Sequence, residues 1–241
     1  MFKNILRQIP NLLTAANLFC GLLALDLVFH FEFKNAAYLV LLAALFDFFD
    51  GFAARLLGVQ GEFGKQLDSL ADVVTFGVVP SFMLVSIQRT YPDLRQSQEL
   101  WFQPLVLFVP FFIAVFSALR LARFNTKQST SKHFIGLPTP ANALFIISIP
   151  FMLEQVNSFW FSILTNALFL AFFSLFSCFL LYSNIQLLSL KVSNLSWKEN
   201  QFHFALLAIA LLSVFVFKFA AMFYVIPAYI IISLIQNITH K

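Results

Sequence analysis

The chain has 241 residues, of which 60% are hydrophobic and 11% charged, with a mean hydropathy of +0.85. A soluble domain carries roughly 25% charged residues, so the composition points to lipid as the solvent, and 7 Gly and 9 Pro against 34 Phe exclude collagen-like, disordered and low-complexity classes. The 15 basic and 11 acidic residues leave a net charge of +4, and no nucleic-acid partner is expected.

Apolar runs bounded by polar or Pro-containing breaks fall at about 12–31, 36–57, 68–88, 103–122, 139–153, 159–182, 203–219 and 221–238. They predict an all-α integral membrane protein, a polytopic bundle of about eight transmembrane helices. Lys3 and Arg7 precede the first run, as in a secretory signal. No small-residue cleavage pattern follows, and Leu18-Phe19 supplies no small residue before Cys20, so the segment reads as a retained first helix. With the N-terminus inside, Lys34, Arg89, Arg95 and Lys218 are the only bases outside and the remaining 11 of 15 are cytoplasmic, which returns the C-terminus to the same side. The expected location is the cytoplasmic membrane with an active site facing the cytoplasm. Cys20 and Cys178 both lie in apolar runs and read as packing residues, not as a disulfide or a metal site. Trp101, Trp160 and Trp197 fit interfacial anchoring, and His133 is a candidate substrate contact in the loop before Gly136.

Four of the 11 acids crowd into the second and third runs: Asp47, Asp50, Asp68 and Asp72. An Asp at a helix centre costs about 2.5–3.5 kcal/mol on insertion scales, so four uncompensated ones would cost on the order of 10 kcal/mol. Asp47 and Asp50 are spaced i, i+3, and Asp68 and Asp72 i, i+4, so each pair shares a helix face. A short connector over Leu56–Leu67, with Gly58, Gly61 and Gly64, makes the two helices antiparallel neighbours and lets all four carboxylates converge near one interface. One such pair alone is more often a solvated helix end; two linked pairs in apolar sequence favour a ligand set for hard divalent cations, Mg2+ or Mn2+. Two such ions suit displacement at phosphorus. Gly51, Ala53 and Ala54 keep the adjoining face thin, either for a flat ligand or for close helix packing, and Arg55 is placed to meet a phosphate oxygen.

Asp47-Phe-Phe-Asp50-Gly51-Phe-Ala-Ala54-Arg55, eight residues, then Gly64-Lys-Gln-Leu-Asp68-Ser-Leu-Ala-Asp72 resembles the signature D-x2-D-G-x2-A-R-x8-G-x3-D-x3-D of the CDP-alcohol phosphatidyltransferases. Further stretches, Glu62 to Gly77, Ser117-Ala-Leu-Arg120-Leu-Ala-Arg123-Phe-Asn125 and Phe134-Ile-Gly136-Leu-Pro138-Thr-Pro140-Ala, are similar to the branch of that family that uses serine as acceptor. The resemblance implies transfer of a phosphatidyl group from CDP-diacylglycerol to the hydroxyl of L-serine, with release of CMP and dependence on two divalent cations. It assigns Asp47, Asp50 and Asp68 to one metal, Asp47, Asp68 and Asp72 to the other, and the general base to Asp72. Its CDP-lipid contacts carry over to Asn11, Thr14, Gly51, Ala54, Arg55, Gly64 and Lys65. Gly61 departs from the family's usual Ser or Thr, so backbone or Lys65 contact has to replace that side chain. For the acceptor carboxylate the candidates are Arg120 and Arg123, one turn apart, with Asn125 shaping the pocket; an ordinary positive-inside anchor is the competing reading of Arg123. The resemblance also implies a homodimer. Residues 1–153 are expected to form the catalytic core and 154–241 to complete the bundle. The rival acceptors are inositol phosphate and glycerol phosphate. A carboxylate-lined ion transporter, the rival from another class, would place its acids near the midplane along a continuous path.

Overall fold

The computed structural model describes residues 8–91, 103–126, 134–188 and 200–239; Lys3, Arg7, Arg95, Trp101, His133 and Trp197 lie outside the described residues. Helix α1 (Ile9–Phe29) opens with Pro10 in its first turn, where a missing N–H costs no helical bond. A tight turn with Phe31 at φ 61° leads into α2 (Phe33–Leu57). The two pack closely, and their buried positions include Ala24, Val28, Ala36, Ala37, Val40 and Ala43, small or β-branched residues that let backbones approach in lipid.

Helix α2 stops at Gly58, whose φ of 61° and ψ of 33° form a left-handed cap bonded back to Ala54 and Arg55. The next helix, α3 (Glu62–Thr90), starts well before the expected position 68. The connector is therefore Gly58 to Gly61, not Leu56–Leu67. Glu62 in the first turn meets the positive end of the helix dipole, and Gly64 is carried inside the helix rather than breaking it. Asp68 and Asp72 consequently sit in the second and third turns.

Directly after Asp72, α3 widens into a π turn over Val73–Val78, a rare conformation that concentrates at functional sites. Glycines admit the neighbours. A Cβ at Gly21 of α1 would meet Thr75 Oγ1 at 2.3 Å, and one at Gly77 would meet Ser117 Cβ of the fourth helix at 3.1 Å. Thr75 Oγ1 donates to the Asn17 carbonyl at 3.3 Å. Gly21→Ala is therefore expected to push α1 from the π turn, lowering the melting temperature in detergent by several degrees, about 1–3 kcal/mol of overpacking, and lowering activity by displacing Asn17. An unchanged melting temperature would contradict this packing.

Helix α4 (Leu105–Thr126) and the shorter α5 (Thr139–Leu153) complete the wall around α3. Helices α6 (Ser158–Thr165) and α7 (Ala167–Tyr182) are bent by 62° and start at Asn157 and Asn166, whose side chains cap them. The last two are α8 (Gln201–Phe217) and α9 (Met222–Thr239), separated by a 3-10 turn in which Lys218 has φ 51°. All eight expected apolar runs are helical, the sixth as a bent pair, but among the described residues five helices are long and apolar enough to span a membrane, or six with the bent pair. Thr139–Leu153 is short, and Gln201–Thr239 forms one apolar stretch of 39 residues.

A two-residue antiparallel pairing of β1 (Phe134–Ile135) with β2 (Gln186–Leu187) ties the segment before α5 to the one after α7. Gly136, at φ 71°, donates to Ile185 O and is pressed against the carbonyls of Leu181 and Ser183, which leaves no room for a side chain. From α9, Tyr229 donates to Leu188 O and Asn237 to Gln186 O, while Ser233 Oγ accepts from Leu188 N. The C-terminal helices thus fix the loop that starts α5. Cys20 and Cys178 are buried free thiols, as expected.

Candidate active site

The acidic residues of α2 and α3 do converge. Carboxylate oxygens of Asp47, Asp50 and Asp68 lie within 4.8 Å of one another, and Asp72 is close enough to Asp47 and Asp68 to feel their charge. Asp50 and Asp72 are buried, while Asp47 and Asp68 are half-buried. Helix α1 supplies two orienting bonds. Thr14 Oγ1 donates to Asp50 Oδ2 at 2.6 Å, and Asn17 Nδ2 donates to Asp72 Oδ1 at 3.3 Å.

Among the described residues the salt bridges are His30–Asp26 and Lys34–Glu154, so none of the four acids is ion-paired. Asp68 Oδ1 is buried with no hydrogen-bond partner. Gathered carboxylates without counter-cations, one of them with an orphaned oxygen, fit hard divalent cations bound through oxygen alone.

Among the described residues the proposed nucleotide side is open. A Cβ at Gly51 or Gly61 would meet nothing within 4 Å, whereas one at Gly64 would sit 3.3 Å from Asn11 Oδ1. Asn11 is held by Gln8, and its Nδ2 donates to Gln8 Oε1. Arg55 is exposed one turn beyond Asp50, and Ala54 beside it is half-buried. Lys65 Nζ donates to the Asn125 carbonyl at 3.1 Å, and Asn125 Nδ2 donates to Ser69 Oγ at 2.8 Å. Asn125 therefore binds the end of α4 to the start of α3, and Lys65 keeps two further N–H donors for a ligand.

The two candidate carboxylate readers part company. Arg120 is close enough to Asp72 to feel its charge and donates from Nη1 to Thr139 Oγ1 at 3.3 Å. Arg123 points to the other side. It donates to Tyr182 O and Asn184 Oδ1, stacks over the Tyr182 ring at 5.1 Å, and lines a cavity of about 640 Å³ with Phe179, Ser183 and Ile185 but none of the four acids. One turn of helix, i to i+3, rotates the side chain by about 60°, enough to send the two arginines to different neighbours.

Asn17, Ser117, Thr139 and Asn142 were not singled out as site residues from the sequence. All four are buried to 0% exposure. A polar side chain inside an apolar run is the signal that marks each of them, because leaving its groups unpaired there costs about 1–3 kcal/mol.

The family model for CDP-alcohol phosphatidyltransferases matches residues 7–178, which includes all four acids and α1 to most of α7. Among curated proteins, the chain is 33% identical over 235 residues to a CDP-diacylglycerol--serine O-phosphatidyltransferase of Helicobacter pylori, covering 97% of this chain and 92% of that one. It is 33% identical over 152 residues to the Bacillus subtilis protein of the same name, 63% and 80% of the two chains. A third, from Methanocaldococcus jannaschii, is 35% identical over 151 residues, 63% of each chain.

Proposed function

The chain belongs to the CDP-alcohol phosphatidyltransferase family, and from that premise we propose that it transfers the phosphatidyl group of CDP-diacylglycerol to the hydroxyl of L-serine, giving phosphatidylserine and CMP. The observation that carries this reading is the convergence of Asp47, Asp50 and Asp68 from α2 and α3, with Asp72 one turn on. Relatives similar over most of this chain are named for serine as acceptor, and Arg120 is close enough to Asp72 to feel its charge.

Asp47, Asp50, Asp68 and Asp72 would hold two divalent cations, Mg2+ or Mn2+. Bound there, the ions neutralise the pyrophosphate and stabilise the leaving CMP oxygen. The protein's own groups do the rest. Thr14 and Asn17 hold Asp50 and Asp72 in place. Asp72 takes the hydroxyl proton as the serine oxygen bonds to the phosphorus bearing diacylglycerol and the bond from that phosphorus to CMP breaks. Arg120 receives the serine carboxylate and keeps the hydroxyl near Asp72. Asn11, Arg55 and Lys65 meet the CDP moiety over the open backbone at Gly51 and Gly61.

The acids, Arg55, Lys65 and Arg120 share one end of the bundle, while Lys34 and Arg89 lie at the far ends of α2 and α3. More bases flank the acid-bearing end, so we place that end, with both termini, in the cytoplasm.

Gly51→Ala adds a methyl that meets no protein atom, so the fold should be unaffected while the KM for CDP-diacylglycerol rises about tenfold or more. Equal KM values would remove Gly51 from the lipid-nucleotide surface. The reaction itself is tested with labelled CDP-diacylglycerol offered serine, inositol, inositol phosphate or glycerol phosphate, with Mn2+, Mg2+ or EDTA. CMP release only with serine and a divalent ion supports the assignment. Faster release with another acceptor overturns it.

A further inference from the structure

Helix α4 carries two polar positions, Ser117 and Arg120, and α5 two more, Thr139 and Asn142. Each pair is spaced i, i+3 and so lies on one side of its helix. The Arg120 Nη1 to Thr139 Oγ1 bond of 3.3 Å joins the two faces. Ser117 packs against Gly77 in the π turn that follows Asp72, which brings this polar seam to the catalytic acid.

The seam is unsatisfied in a particular way. Asn142 is at 0% exposure, and among the described residues neither its Nδ2 nor its Oδ1 has a partner; nor has the Ser117 hydroxyl, also at 0%, nor Arg120 Nε. A buried amide with both ends free, in a bundle embedded in lipid, is costly. The free groups are of both polarities. Arg120 Nε and Asn142 Nδ2 donate, while Asn142 Oδ1 and the Ser117 hydroxyl accept. Their natural complement carries an anionic and a cationic group a few bonds apart.

We propose that Asn142, with Ser117, reads the α-ammonium of the acceptor while Arg120 takes its carboxylate, so that this seam selects a zwitterionic amino acid over alcohols lacking either charge. The inference rests on the serine reading above and adds the residue that recognises nitrogen. A neutral carbonyl suits this task. A further carboxylate would join the four acids and compete for their cations, whereas an amide oxygen accepts from an ammonium without adding charge.

The test compares the full-length protein with Asn142→Leu and Asn142→Ser in detergent micelles. Acceptors are serine, β-hydroxypropionate, which lacks the ammonium, and ethanolamine, which lacks the carboxylate. Asn142→Leu should raise the serine KM about tenfold or more, leave the KM for CDP-diacylglycerol within about twofold, and erase most of the preference for serine over β-hydroxypropionate. The preference for serine over ethanolamine, read by Arg120, should stay. Asn142→Ser should give the same ordering with a smaller shift, and it supplies the readout if leucine prevents folding. An unchanged serine KM, or an equal loss with all three acceptors, overturns the proposal in favour of a water-filled packing site. Wild-type protein that releases no CMP with serine under any divalent ion would instead overturn the acceptor assignment, and this inference with it.

Discussion

Asp72→Asn is expected to lower turnover about 10³-fold or more while the KM for CDP-diacylglycerol changes only a few-fold. The substitution is nearly isosteric and keeps one oxygen to accept the Asn17 bond now made at 3.3 Å, so the geometry of α1 against α3 survives. On the proposed mechanism it removes the acceptor of the serine proton, worth about 10²–10⁴ by itself, and one of the carboxylates that would hold the second cation. On the proposed assignment the lipid nucleotide is held mainly over Gly51 and Arg55, so its binding should be retained. The melting temperature in detergent should not fall, because a like charge is withdrawn from a cluster in which Asp72 lies within reach of Asp47. CMP release near the wild-type rate would remove Asp72 from the role of base.

The acidic site was legible because its information is local. Two pairs at helical spacing, joined by a glycine-rich connector, can only be antiparallel neighbours. What the sequence could not show was how that connector divides. Gly58 caps α2, but Gly64, the same residue type, continues α3, because the four residues Gly58 to Gly61 already reverse the chain and the dipole favours starting at Glu62. The π turn was illegible for a different reason. Val73-Val74-Thr75 reads as ordinary apolar helix, and only contact with Gly21 on one side and Ser117 on the other fixes the wider turn.

Sequence spacing did not distinguish the two arginines. Arg120 and Arg123 share a turn, yet their directions are set by what stands opposite: Thr139 and Asp72 for one, Tyr182 and Asn184 for the other. Tertiary context, absent from a single helix, decides between them. Asn17 and Asn142 carried a readable signal, an amide within an apolar run, but the signal says only that a partner must exist. For Asn17 the partner is Asp72 of the same chain. For Asn142 the described residues supply none.

Asp47→Ala separates the metal-holding role from the fold by the sign of its effects. Asp47 is within reach of Asp50, Asp68 and Asp72, and two unit charges at such separations repel by about 3 kcal/mol at an effective dielectric of 20. Half-buried in the C-terminal half of α2, its side chain leaves little void when shortened. In EDTA the variant is therefore expected to melt at a higher temperature than wild type, the opposite of an ordinary truncation. With Mn2+ or Mg2+ the order reverses. Ligand that binds only the folded state stabilises it by RT ln(1 + [L]/Kd), about 2.7 kcal/mol at a hundredfold excess over Kd, and wild type gains this while the variant, lacking the carboxylate shared by both cations, gains little. Turnover should fall about 10³-fold or more, because the cations that Asp47 would help to hold could no longer neutralise the pyrophosphate charge. A variant stabilised by divalent ions as strongly as wild type would show that the cations are held elsewhere, and a variant that melts lower in EDTA would show that Asp47 serves the fold before it serves the reaction.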